Sequence, residues 1–298
     1  MTAKHIITAA LIALMSIGCT AEFDDPTQAE VKKTEIIAIT LDPPEAAPGD
    51  TVTASVHVAD QLGNRNDLQA FWLLDATASM ETMLGQTITF VVPELSDDAY
   101  DDTGTAALPV SVAVAKNAEA IDDLSAADFD HILESNNILF GTRTLAVSKR
   151  SQQTANPTVH SLSLNLPDGQ QSSVTMSVST SDTFGEQQQA AMVSPIQIFE
   201  DAEVEFHIDA SPAIPSNQLR YQWISTAGDF KARRAATEPW IAPEYIVPAD
   251  DININPSLPD VRQDPNLYPI WILVRDDGNP WQLGLTLVEF YVRVMPRP

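Results

Sequence analysis

The sequence predicts an all-β protein built as two antiparallel β-sandwiches in tandem. Three observations carry that expectation. Apolar residues recur at every second position in short runs, the signature of strands with one buried face. Clusters rich in Gly, Pro and Asx separate those runs, as tight turns require. The strand pattern stops at one polar break, SQQTANP over 151–157, and then starts again. With 298 residues, the chain is long enough for two domains of about 100–150 residues each.

The elements follow in chain order. Residues 34–41, TEIIAITL, place Ile37, Ile39 and Leu41 on one face. The segment DPPEAAPGD at 42–50 is a turn, and TVTASVHV at 51–58 turns Val52, Ala54, Val56 and Val58 inward. Further strands are expected at 68–74 around Trp72, at 86–92 with Ile88, Phe90 and Val92, at 108–114, and at 137–149. One short helix is expected between the last two. Ser125 and Asp128 have capping-box spacing, and Phe129, Ile132 and Leu133 fall on one helical face. After the break, strands are expected at 159–166, 173–179, 203–209 and 219–223. The strongest two are IWILVR at 270–275 and TLVEFYVRV at 286–294, where Val288, Phe290, Val292 and Val294 share a face. This organisation gives domains at 34–155 and 156–298.

Ahead of them, Ile6 to Met15 is an apolar run after a short basic start, too short to span a bilayer and of signal-peptide length. It ends in Ser16-Ile17-Gly18-Cys19, and Cys19 is the chain's single cysteine. This stretch resembles the lipobox of bacterial lipoproteins. The resemblance implies a signal peptide over 1–18, cleavage after Gly18 and a lipid on the Cys19 thiol. Ser16 departs from the more usual Leu of that motif. Thr20 in place of Asp after the cysteine implies the outer membrane by the sorting rules of such proteins. Several acyl chains hold a protein stably at a membrane, whereas a single one binds marginally. Residues 19–33 are polar and acidic and read as a solvated tether.

In the second half, YQW at 221–223, AGDF at 227–230, EPWIAP at 238–243 and ILVRDDGN at 272–279 stand in that order. Together they resemble bacterial immunoglobulin-like and PKD-like domains. The first half is similar through LDPPEAAPGDTV at 41–52 and Trp72. The resemblance implies an Ig-like sandwich in each half, with Trp72 and Trp223 as core pins that have no disulfide beside them.

Lys and Arg number 16 against 41 Asp and Glu, a formal charge of −25. A field of that sign repels phosphate backbones, so no nucleic-acid partner is expected. G-x-S-x-G, H-E-x-x-H, P-loop and G-x-G-x-x-G patterns are all missing, the five histidines are scattered, and no catalytic residue or cofactor is expected. His57 and His207 face away from the apolar positions of their strands and are expected at the surface.

Two acidic features compete with that reading. FWLLDATASM at 71–80 resembles the metal-ion-dependent adhesion motif of von Willebrand A domains, which would make Asp75, Thr77 and Ser79 ligands of a divalent ion. That fold needs crossover helices, and further ligands such as Thr142, Thr144 or Asp182 that nothing in the sequence brings there. The loops holding Asp97, Asp98, Asp101 and Asp102, and Asp276 with Asp277, lack EF-hand spacing. They are expected to be solvated turns, with calcium as the alternative. No metal site is expected.

The expected function is therefore a lipid-anchored envelope protein with a non-catalytic binding, adhesion or scaffold role. Its partners would be the membrane, through Cys19, and a protein or glycan. A glycan-binding module would need an exposed aromatic platform, for which Trp240 and Trp281 are the candidates.

Overall fold

A computed structural model describes residues 31–74, 81–116, 137–150, 153–166, 171–174, 176–178, 195–215, 217–231, 235–247, 264–276 and 284–298. The expected helix near Ser125, and Cys19, Asp75, Thr77, Ser79, Asp182, Asp277 and Trp281, lie outside the described residues. The strands of the first half are β1 (Glu35–Asp42), β2 (Glu45–Ala46), β3 (Thr51–Asp60), β4 (Gly63–Asn64), β5 (Gln69–Leu74), β6 (Glu81–Leu84), β7 (Thr87–Val91), β8 (Thr105–Ala115) and β9 (Ile138–Ser148). Those of the second half are β10 (Thr158–Asn165), β11 (Gln171–Ser173), β12 (Ser177–Val178), β13 (Ile196–Phe199), β14 (Glu203–Ser211), β15 (Leu219–Ser225), β16 (Asp229–Phe230), β17 (Thr237–Ile241), β18 (Leu267–Asp276) and β19 (Leu285–Met295).

Each half is a sandwich of two sheets. In the first, β3 carries β1 on one side and β4 and β7 on the other, opposite a sheet of order β2-β9-β8-β5-β6. In the second, β11-β10-β14-β17-β16 faces a sheet of order β12-β19-β18-β15, to which β13 adds in parallel with β19. The seven strands β10, β14, β15, β16, β17, β18 and β19 thus divide as first-second-fifth-fourth and third-sixth-seventh. That is the immunoglobulin constant-type arrangement. The first sandwich keeps the same core pairing, β1-β3-β7 against β5-β8-β9, but the strand after β5, β6, lies beside β5 in the opposite sheet, and the short β2 lies parallel to β9. Both halves are Ig-like sandwiches, as the sequence led one to expect.

Alternation fills both cores. Val52, Ala54, Val56 and Val58 meet Trp72, Ile88, Phe90, Val110, Val112 and Leu145 in the first. Val288, Phe290, Val292 and Val294 meet Phe206, Trp223 and Trp240 in the second. Trp72 and Trp223 sit on corresponding strands, β5 and β15, and both are fully buried. With no disulfide beside them, each ring is fixed by its indole N–H. Trp72 donates to the Gly85 carbonyl at 2.8 Å, and Trp223 to the Ala235 carbonyl at 2.8 Å.

A third apolar cluster joins the halves. Ile37, Ala38 and Ala59 of the first sandwich pack with Ile224, Trp271, Leu273, Leu285 and Leu287 of the second. A register shift between Ile36 and Ala38 turns Ile37 away from Ile39 and Leu41, with which strict alternation groups it; the other residues alternate with those of the two cores, so all stand on the outer faces of β1/β3 and of β15/β18/β19. The sandwiches therefore lie face against face, not merely end to end on a linker. Small side chains on one sheet receive large ones from the other, which lets the backbones approach closely. A polar seam completes the contact. Glu289 is fully buried and accepts hydrogen bonds from Asn64 of the first sandwich and from the Tyr291 hydroxyl at 2.6 Å. A buried carboxylate is tolerated only with such donors.

Two expectations about exposure change here. His57 does face away from its own core, yet it is 6% exposed, because the second sandwich covers that face. Its Nε2 lies 3.2 Å from the Thr40 hydroxyl. The tether is not solvated to its end: Val31 is 1% exposed, belongs to the joining cluster, and donates its N–H to the Ser225 carbonyl at 2.9 Å. The polar break is clamped. Buried Glu45 accepts from the Arg150 guanidinium at 2.6 Å and the Thr154 N–H at 2.9 Å. Asn156 donates to the Leu41 carbonyl and accepts from the Leu285 N–H at 3.0 Å, so one side chain spans both sandwiches. Burial pushes the Glu45 carboxyl up, but its Thr154, Arg150 and Ser148 partners outweigh that and hold it below its ordinary range.

Two predictions follow from the joined faces. Trp271→Ala should cost about 3–5 kcal/mol in urea unfolding, the range for emptying a buried aromatic site. A cost below about 1 kcal/mol would mean that the sandwiches part in solution. Burial lowers the His57 pKa from 6.5 to about 4. The unfolded chain therefore takes up this proton first as pH falls. The stability linked to His57 is complete above about pH 6.5 and is lost between there and about pH 4, roughly 3 kcal/mol in all. Unfolding free energies at pH 7 and pH 5 should differ by about 2 kcal/mol more in the native sequence than in His57→Gln.

Candidate functional site

The motif residues that carried the family resemblance converge on the core and not on the surface. Phe206 lies 6.0 Å from Trp223 in a stacked pair, 6.0 Å from Trp240 and 5.1 Å edge-on from Phe290. Phe230 bridges the two tryptophans at 5.9 and 6.3 Å. Gly228 explains the spacing between YQW and the phenylalanine after it. It sits at φ +81°, and a Cβ there would stand 2.3 Å from Trp240 Nε1. Only glycine lets that turn close over the indole. Trp240 is fully buried, so it offers no aromatic platform to a sugar ring.

The acidic loop at 97–102 is a self-contained turn. Asp97 and Asp98 open a short 3-10 turn, and the Asp97 carboxylate pairs with the Lys149 ammonium at 2.8 Å. That ammonium also lies 4.2 Å from the centre of the Tyr100 ring. Asp101 accepts from the Thr103 hydroxyl at 2.6 Å, the Thr103 N–H at 2.9 Å and the Thr105 N–H at 3.0 Å. These bonds hold the carboxyls of Asp97 and Asp101 below their ordinary range. The Asp97 carboxylate is thus committed to Lys149 and that of Asp101 to the loop's own donors. Thr142 meets Ser111 at 2.9 Å across β8 and β9, and Thr144 stands opposite Pro109 on the same sheet. Among the described residues, no group of three or more His, Cys, Asp or Glu is placed to hold a metal ion.

Two sheet faces remain on the outside of the four-layer stack, and they differ in chemistry. On the second sandwich, β14 presents Glu203, Glu205, His207 and Asp209. Glu205 accepts from Asn165 at 2.9 Å and His207 meets Thr237 at 2.8 Å. This is a hydrated polar face. On the first sandwich, the register of β6, β5, β8 and β9 lines up Leu84, Phe71, Ala113 and Phe140 in one row. Phe71 and Phe140 are half-buried against Ala113, Ala115 and Ile138, while Leu84 on the edge strand is 68% exposed. The sequence hid this row, because Phe71 and Phe140 read as ordinary members of apolar strands.

No known protein family matches the chain, and no curated protein matches it. Among solved structures, the chain is similar to the three N-terminal domains of the bacteriophage RB49 Highly Immunogenic Outer Capsid protein (Hoc), with a TM-score of 0.22 and 12% identity. The match covers 88% of this chain and 59% of that one. A superposition that loose carries no argument, and the assignment to Ig-like sandwiches rests on the strand order itself.

Gly228→Ala tests the aromatic cluster. It should destabilise the protein by at least about 2 kcal/mol, through both the positive φ and the collision with Trp240. Tryptophan fluorescence during urea unfolding reads the loss directly.

Proposed function

We propose that the protein is a lipid-anchored component of a bacterial envelope whose role is non-catalytic binding or scaffolding. The observation that supports this most is the buried joint between the sandwiches. A catalytic centre assembles polar groups in a cleft, whereas this chain buries the faces between its domains with apolar side chains and a clamped linker. What it presents to a partner is a stiff body with one polar face and one partly apolar face.

The partner we favour is a protein. Trp240, one of the two aromatic residues that a glycan platform would have used, is spent in the core. The row of Leu84, Phe71 and Phe140 offers the side chains that protein contacts use at their centre. The chain's net charge of −25 suits a partner that carries basic groups, since opposite charge speeds encounter and disfavours wrong partners. The anchor belongs to the same reading: lipid on Cys19 would hold the protein at the membrane, with the outer membrane as the favoured site. Tension on the tether would meet Val31, which is already seated between the sandwiches.

A photo-crosslinking residue placed at Leu84 in cells should give one discrete protein adduct, and the same residue at Ser163 on the hydrated face should give none. Equal labelling from both positions would remove the apolar row from the proposal. Cys19→Ser should move the protein from the membrane fraction to the soluble fraction. Retention in the membrane would overturn the anchor.

A further inference from the structure

Asp276 closes β18 at the end of the second sandwich nearest the linker, and it is 2% exposed. Among the described residues, neither carboxylate oxygen has a hydrogen-bond partner. This differs from the other buried acids of the joint, since Glu45 and Glu289 both hold donors. An ionised carboxylate stripped of water with no donor costs several kcal/mol, so such a group marks a place where a positive partner belongs.

The surroundings are rich in acceptors. The Asp276 N–H is used by the Gly284 carbonyl at 3.1 Å. Gly284 lets the linker descend onto the aspartate. A Cβ at that position would stand 2.8 Å from Pro157 Cδ, 3.1 Å from the Ala155 carbonyl oxygen and 3.3 Å from Asp276 Cβ. The Ala155 carbonyl and the Asp276 side chain therefore border the same point. Two donors of the adjoining strand are taken: the Thr286 hydroxyl goes to the Pro157 carbonyl at 2.6 Å, and the Leu285 N–H to Asn156. A buried carboxylate whose Cβ borders the same point as a backbone carbonyl, with these two donors spent elsewhere, matches the ligand chemistry of a hard cation. Calcium accepts carboxylate, carbonyl and water oxygens in flexible geometry, while magnesium demands near-ideal octahedral order.

We propose that Asp276 and the Ala155 carbonyl form part of a calcium site that fastens the linker to the second sandwich. Asp276 belongs to the pair Asp276 and Asp277 that the sequence marks as a solvated turn with calcium as the alternative, and its burial corrects the solvated turn. The site uses this one carboxylate and the backbone. Its action is structural: the cation neutralises the buried charge and ties residue 155 to the end of β18, stiffening the joint that Asn156 already spans.

The test is calcium chloride titrated into the purified, chelator-treated full-length chain, followed by calorimetry and by thermal melting at constant ionic strength. One saturable site per chain and a rise in Tm of several degrees are expected. Asp276→Asn should lose at least about tenfold in affinity and most of the Tm rise, while Asp101→Asn, in the self-bonded loop, should keep both. If Asp276→Asn does not fold, Gly284→Ala decides in its place, because its added methyl crowds the Ala155 carbonyl and should weaken calcium at least tenfold. No saturable binding, or binding that survives both changes at Asp276 and Gly284, would overturn the site. A Tm rise of equal size in the native chain and in Asp276→Asn would do so too, since it would reflect screening of the acidic surface alone.

Discussion

The outer face of the β1/β3 sheet can be buried only because it is small. Ala38 and Ala59 leave room for Trp271, Leu273, Leu285 and Leu287 to cross from the other sandwich. Much else in the chain answers to that fit. It takes His57 out of water, buries Glu289 and so calls for Asn64, and seats Val31 before the first strand begins. Burial of apolar area supplies the attraction, at about 25 cal/mol per Å². The seam of Asn64, Glu289 and Tyr291 adds direction, because a slipped register would leave a buried charge without donors.

Within each sandwich the constraint is the absence of a disulfide. Ig-like domains that have one pin their sheets covalently near the strand-borne tryptophan. Here the single cysteine stands in the expected signal region, and the pinning is done by rings and hydrogen bonds. Trp72 and Trp223 each donate to a backbone carbonyl, and the second core adds Phe206, Phe230, Trp240 and Phe290 around its pin. The larger aromatic cluster lies in the sandwich that also carries the large side of the joint.

Function in such a body resides at its margins. The linker, the two outward sheet faces and the tether are the places where chemistry is left over once the cores are packed. The linker bonds to both sandwiches through Glu45 and Asn156. A partner that grips the first sandwich therefore pulls on the second without an intervening hinge. A cation beside Asp276 would tighten the same connection.

The sequence by itself determined the strands with clean alternation, the two-sandwich plan and the pins Trp72 and Trp223, because side-chain period and turn chemistry are local properties. It also marked the motif from Tyr221 to Trp240, although not its purpose: the same residues would suit a platform or a core, and only the closing of Gly228 over Trp240 chose the core. Short pairings such as β2, β4, β6, β13 and β16 escaped notice, since two to four residues carry no period. Burial of His57, Glu289 and Val31 was decided entirely by tertiary structure. Alternation says which face of a strand points away from its own core. Whether water or another sheet meets that face depends on residues more than a hundred positions away, as Asn64 and Glu289 show.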